Sequence, residues 1–465
     1  MQYLRKRWSC EGGYREVLVI AVPLVLSTGA WTVQHFVDRM FLSWYSPEAI
    51  AAAMPAGMAS FAIMSLFVGT GAYVSTFVAQ YYGARRYHRI GPSLWQGVYV
   101  SVIGGIVMLC FVPFARPIFA LVGHDALVQQ CEVEYFQILC LGGGPAIAAS
   151  VIPCFFTGRG RPWPVMWVNC VATLVNLVMD YALIFGKWGF PEMGIMGAGV
   201  ATVLSSVFSF LLFMVLVSMG DKDGKYNILK GWRPEKDLFI RLMRFGFPSG
   251  VQFFVDIAGF TAFIFLIGRL GTVSLAASNI AFNINVLAFM PMLGSGIAIS
   301  VLVGQYLGRD KPDLAQKSAY SGFHMTLIYM VSIAAAYVLL PDIFVAPFAA
   351  RADPEEFKEI YGLSVILLRF IAVYSIFDTM HIIFASAIKG AGDTRFVMFM
   401  ILAFSGLVMV VPTYLAVVVF GYGLMICWVF ATVYVTTLGF AFYLRFLNGK
   451  WKNMRVIERV AVARS

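Results

Sequence analysis

Four aspartates stand inside long apolar stretches of this chain: of its 24 acidic residues only Asp38, Asp180, Asp256 and Asp378 do so, Glu132 and Glu134 sitting at the outer mouth of the fourth stretch. A charge placed in hydrocarbon costs about 3 kcal/mol or more unless it faces a cavity or a partner, so such a residue reads first as functional. A desolvated carboxylate can take up a proton, and beside Asn or Thr oxygens it can hold Na⁺. The roles that follow are a coupling-ion site, a proton carrier, or a contact for a cationic substrate. The competing reading is a fixed salt bridge or a charge reaching out from a helix end. Asp38, next to Arg39, is the most open to that reading.

Their neighbours sharpen the chemistry. Asn176 precedes Asp180 by four residues, and Tyr374, Asp378 and His381 stand at i, i+4 and i+7, one face of a helix. His35 and His381 lie three residues from Asp38 and Asp378. They read either as a proton relay or as ordinary hydrogen-bonded interior histidines.

The elements that carry these residues must be membrane helices. The chain is 60% hydrophobic and 12% charged over 465 residues, too apolar to clothe a water-soluble globule. Twelve apolar runs are long enough to span a bilayer: roughly 16–40, 50–82, 93–115, 130–156, 163–186, 196–219, 240–268, 274–307, 317–341, 361–388, 396–420 and 424–447. They are apolar on all sides, which disfavours a barrel, and backbone groups in lipid must be satisfied within their own segment. Gly142-Gly143-Gly144-Pro145 marks a bend within the fourth run.

The runs form a duplication. Residues 50–83 overlie 275–308 without a gap, with ten identities, among them Gln80-Tyr81 on Gln305-Tyr306; Pro23 falls on Pro248 at the same offset. At a nearby offset, Thr157-Gly158-Arg159-Gly160 mirrors Lys389-Gly390-Ala391-Gly392. The domain plan is therefore a segment 1–15, a six-helix bundle over 16–219, a linker over 220–239, a second six-helix bundle over 240–447 and a basic tail over 448–465 that reads as a surface helix.

The net charge of +10 is distributed by side rather than gathered as a nucleic-acid patch. Of the 34 lysines and arginines, only Arg39, Arg116, Lys187, Arg269, Arg351, Lys358 and Arg369 fall on one side of the alternating spans. That asymmetry places both termini in the cytoplasm, with the chain in the cell (inner) membrane. The seven cysteines show no CxxC spacing and read as small reduced residues. There is no phosphate loop, HExxH pair or GxSxG elbow, so an enzyme is disfavoured, and repeats around buried acids suit a transporter working by alternating access.

At these residues the chain resembles the multidrug and toxic compound extrusion (MATE) family. The resemblance is carried by Pro23 with Asp38, the AIAAA and SLAAS entries to the repeated helices, the LVGQYLG close, Asn176-x3-Asp180 before IFG, GAGVAT opening the sixth helix, and Asp378 before KGAGDTR. It implies an all-α integral membrane protein, with two pseudo-twofold-related six-helix bundles in a V around a central cleft. It also implies export of organic cations and drugs in antiport with H⁺ or Na⁺. The family's amino-lobe ion site is similar to Asp38, Asn176, Asp180 and Thr202, and its carboxy-lobe residues resemble Asp256, Tyr374 and Asp378. Asp256 is a departure, because Na⁺-coupled members carry a glutamate there. Na⁺ could then bind at Asp38, Asp180, Asp256 or Asp378. The partners implied are small cationic substrates and the bilayer, with no nucleic acid, no bound cofactor and a monomeric state. The rival is a lipid-linked oligosaccharide flippase of the same superfamily. It would favour basic residues in the cleft, where this chain's intramembrane charges are mainly acidic.

Overall fold

The computed structural model describes residues 7–121, 123–349 and 354–458. Arg5, Lys6 and Arg351, which entered the charge count, lie outside the described residues, as does the end of the tail, 459–465. Among the described residues the regular structure is helical throughout, with no strand.

Eleven helices are long and apolar enough to cross a membrane: α1 (Tyr14–Tyr45), α2 (Pro47–Gly83), α3 (Tyr87–Ala120), α5 (Trp163–Ile184), α6 (Ile195–Met219), α7 (Lys236–Gly268), α8 (Thr272–Gly308), α9 (Pro312–Leu339), α10 (Phe357–Ala391), α11 (Thr394–Val419) and α12 (Leu424–Leu447). The twelfth span, α4, is broken: Ala126–Leu141 and Gly143–Gly158 meet at 50°, at the glycine run expected to bend. Local signals set the ends. Ser46 stops α1 and caps α2, its hydroxyl accepting from Ala49 N at 3.1 Å, with Pro47 preset for the first helical turn.

The duplication extends to the backbone. After α2, Arg86 N reaches Tyr81 O at 2.9 Å and Arg85 is left-handed at φ 58°; after α8, Lys311 N reaches Tyr306 O at 2.9 Å and Asp310 has φ 55°. These are paired Schellman-type ends, which satisfy orphan carbonyls. Gly160 and Gly392 close α4 and α10 in the same way. Helix contacts repeat as well. A Cβ on Gly158 would fall 2.6 Å from Ser75 O, and one on Gly390 would fall 2.5 Å from Ser300 O. Small residues admit such close approach, a main source of helix association in lipid.

The chain forms two compact units: Met1–Val25 with Val255–Arg455, and Leu26–Phe254 with Val456–Ser465. The division passes through α1 and α7 shortly after Pro23 and Pro248, each of which withholds one backbone hydrogen bond from its helix. The first unit has two apolar cores, one around Tyr306, Phe384, Phe446 and Trp451, the other around Phe263, Met292, Tyr337 and Trp428. The second unit is centred on Phe77, Tyr81, Phe155 and Phe213. All seven cysteines are free thiols.

The tail differs from the surface helix expected of it. Lys450–Asn453 is a single 3₁₀ turn after Gly449, which sits at φ 72°, and Trp451 is buried against Phe446 with ring centroids 4.9 Å apart. The chain then runs without helix to Glu458, with Val456 and Ile457 buried. Charge composition suggested a solvated segment, but three apolar side chains decide its course.

Candidate functional site

In the second unit, α1 and α5 each place two polar groups one turn apart on a single face: Gln34 with Asp38, and Asn176 with Asp180. Asn176 and Asp180 are fully buried, and Asp38 nearly so. One terminal atom of the Asn176 amide lies 3.0 Å from Asp38 Oδ1, 3.2 Å from Asp180 Oδ2 and 3.2 Å from Gln34 Nε2. Turned one way, the amide donates to two charged carboxylates. Turned the other, its oxygen accepts from Gln34 and from a protonated carboxyl.

The two carboxyl groups also meet within hydrogen-bonding range, and Asp180 Oδ1 is buried without a partner. Two like charges this close in a medium of low dielectric repel, so the pair calls for a cation or proton between them. Tyr135 on α4 completes the group. It lies in the electrostatic field of both aspartates, with Thr202 on α6 beside it. Thr202 therefore belongs to this cluster through Tyr135. His35 is solvent-accessible and makes no hydrogen bond to Asp38 among the described residues, but each lies in the other's electrostatic field.

In the first unit, α10 supplies Tyr374, Asp378 and His381. Asp378 Oδ1 is 3.1 Å from His381 Nδ1, and the imidazole stacks on Phe442 at 5.4 Å between centroids. Tyr374 OH accepts from Asn285 Nδ2 on α8 at 3.2 Å. The Asn285 Oδ1 and the nearby Ser375 Oγ are buried and unpaired. Asp256 lies on α7. Tyr434 on α12 lies in the electrostatic field of both Asp256 and Asp378, beside Ser405 on α11.

Ser405 opens a π-helical stretch, Ser405–Val410, and Gly259 lets it approach, since a Cβ there would fall 2.3 Å from Ser405 Oγ. Lys389, just past the tenth apolar run of the sequence, is in the last turn of α10 and interacts electrostatically with Asp256.

Gln34, Tyr135, Tyr434, Ser405 and Lys389 were not picked out as site residues from the sequence. Only Gln34 had a visible signal, its four-residue spacing from Asp38. Tyr135, Tyr434 and Ser405 sit on other helices and show no local departure in composition, and Lys389 reads from sequence as a charge at a helix end. Among the described residues no three His, Cys, Asp or Glu side chains converge as a metal cluster. The oxygens of the Asp38–Asp180 group suit a hard monovalent cation or a proton as cargo, and thiol-loving metals do not fit.

The MatE family model matches residues 23–182 and 248–415, one copy on each half of the duplication. The probable multidrug resistance protein NorM of Thermotoga maritima is 24% identical, over 96% of this chain and 95% of the relative. The multidrug resistance protein PmpM of Pseudomonas aeruginosa is 28% identical, over 83% of this chain and 80% of its own length. Among solved structures, an outward-facing multidrug resistance transporter of the MOP superfamily superposes with a TM-score of 0.86 at 18% identity, covering 97% of this chain and 98% of that one. A transporter solved in a bent conformation superposes at 0.84 with 19% identity, over 97% and 98%.

Proposed function

The chain belongs to the multidrug and toxic compound extrusion (MATE) family of membrane transporters, and from that premise we propose that it exports organic cations in exchange for H⁺ or Na⁺. The single observation that carries the ion-coupled reading is the Asp38–Asn176–Asp180 group, two buried carboxyls on one amide with an unpaired carboxylate oxygen. The multidrug resistance names of the relatives favour drugs as cargo.

In this reading the coupling ion loads at Asp38 and Asp180. Loading removes the repulsion between them, and the Asn176 amide turns to match the new charge. A changed charge at Asp38 alters how the second half of α1 packs, while Pro23 leaves that helix one hydrogen bond short at the place where it would yield. In the first unit, Asp378 with His381, and Asp256 opposed by Lys389, answer a cation or proton in the same way. A cationic drug and a coupling ion that neutralise the same acids cannot both be held, so each expels the other. The orientation has both termini in the cytoplasm of a cell membrane, as the basic side of the spans favours. The mainly acidic charges within the spans speak against a flippase for lipid-linked oligosaccharides.

The test is ethidium efflux from vesicles containing the purified chain, driven by a proton gradient and separately by a sodium gradient. Asp38→Asn and Asp378→Asn are each expected to bring efflux to background while the protein stays in the membrane. Full efflux in both variants would remove these assignments.

A further inference from the structure

The duplicated tyrosine near the close of α2 and α8 does the same task twice, with a carboxylate from a different source each time. In the first unit, Tyr306 OH donates to Glu16 Oε2 at 2.6 Å and accepts from Gly12 N at 3.0 Å. Glu16 belongs to α1, so α1 carries its own anchor on Tyr306. In the second unit, the residue of α7 at the equivalent offset is Arg241, which cannot accept from a tyrosine hydroxyl. There the carboxylate arrives on the tail. Tyr81 OH donates to Glu458 Oε2 at 2.8 Å, and Val456 N donates to Gln80 Oε1 at 2.9 Å.

Three arginines converge on the same glutamate. Arg241 Nη1 lies 2.8 Å from Oε1, Arg89 Nη2 3.5 Å from Oε1, and Arg86 Nη1 3.6 Å from Oε2 and 3.0 Å from the backbone oxygen. Glu235 takes the other amino group of Arg89 at 2.8 Å. Val456 and Ile457, both buried, fill apolar space in the second unit's core. This is a built site for a short peptide with two apolar side chains followed by a carboxylate. Its receptor surface is Gln80, Tyr81, Arg86, Arg89 and Arg241.

We propose that Val456–Glu458 is a detachable clasp: it supplies from the tail the carboxylate that α7 lacks at position 241, holds the first half of α7 in place while docked, and frees it on release. Without Glu458, the three arginines keep one acidic partner among the described residues, Glu235, and the Tyr81 hydroxyl loses the acceptor shown there. The anchored half, Lys236–Phe254, is continuous with the turn of α7 that carries Asp256, so the clasp acts on the helix bearing one of the four aspartates within the spans. Its effect on export rests on the function proposed above; its effect on α7 does not.

The experiment compares the full chain with a chain ending at Arg455, with Glu458→Gln, and with the truncated chain carrying Arg241→Glu, which recreates on α7 the arrangement of Glu16 on α1. Hydrogen exchange of residues 236–254 in solubilised protein is expected to speed up about tenfold on truncation, in line with the loss of hydrogen bonds to charged groups. It should also rise in Glu458→Gln and return towards the full-chain rate with Arg241→Glu. Ethidium efflux should fall and recover in the same order. Unchanged exchange in both the truncated chain and Glu458→Gln overturns the clasp, and so does failure of Arg241→Glu to slow exchange in the truncated chain. If exchange responds as expected but the full chain expels no cation, the clasp stands and the proposed export fails.

Discussion

His381 Nδ1 lies 3.1 Å from Asp378 Oδ1, whereas His35, at the same spacing from Asp38, is exposed and makes no such bond among the described residues. The duplicated halves therefore place their histidines differently. His381→Ala, which leaves Asp378 without that partner, is expected to lower efflux about tenfold, the scale of one hydrogen bond to a charged group. His35→Ala should leave efflux within about twofold. Equal losses in the two variants would argue against a special role for the His381 pair.

Asn176 serves two carboxylates with one amide, so its loss should be felt at both. Asn176→Leu removes the donor and leaves Asp38 and Asp180 facing each other. It is expected to cost about 1–3 kcal/mol of stability when both acids are charged. Saturating coupling ion, which relieves the repulsion, should restore part of the lost stability. Thermal melts with and without Na⁺, and at acid and neutral pH, would detect it; a melt that ignores both ions would speak against the site.

The repeated close contacts at Gly158 and Gly390 predict matched penalties. An added methyl meets a backbone oxygen at 2.6 Å or 2.5 Å, and backbone cannot swing aside as a side chain can. Gly158→Ala and Gly390→Ala are each expected to destabilise the solubilised protein by about 1–3 kcal/mol. Gly362→Ala, with nothing within 4 Å of the added atom, should be silent or slightly stabilising.

Glu458 predicts a pH dependence outside the membrane spans. Burial pushes its carboxyl upward, but its backbone hydrogen bond, the Tyr81 hydroxyl, Arg241 and Arg89 together outweigh burial and hold it below the ordinary carboxylate value. A carboxyl lowered in the folded state contributes stability above its unfolded value and loses it as pH falls through the folded one. The stability difference between the full chain and Glu458→Gln should therefore be complete at neutral pH, begin to shrink as pH falls through the unfolded carboxylate value of about 4.3, and vanish only below the lower folded value. A difference that persists unchanged at pH 3 would mean that the glutamate's charge is not what docks the tail.

Much of this molecule is determined within short windows of sequence. Helix existence and length follow from apolar runs that must satisfy their own backbone in lipid, so the spans were legible, as was the bend at Gly142–Gly143. Duplication was legible because matched residues keep a fixed offset, and the acids stood out because charge in hydrocarbon is costly. Tertiary structure decided what no window contains. Tyr135 and Tyr434 reach the acids from α4 and α12 because of how those helices cross their neighbours, and a tyrosine in an apolar run is ordinary until its hydroxyl is seen to have an acid nearby. Lys389 reads as part of a basic connection until α10 carries it to Asp256, and Glu458 reads as one charge in a polar tail until Val456 and Ile457 find a core. Hydropathy and periodicity describe which face a residue occupies; what it meets there depends on rotation and depth of packing between segments hundreds of residues apart.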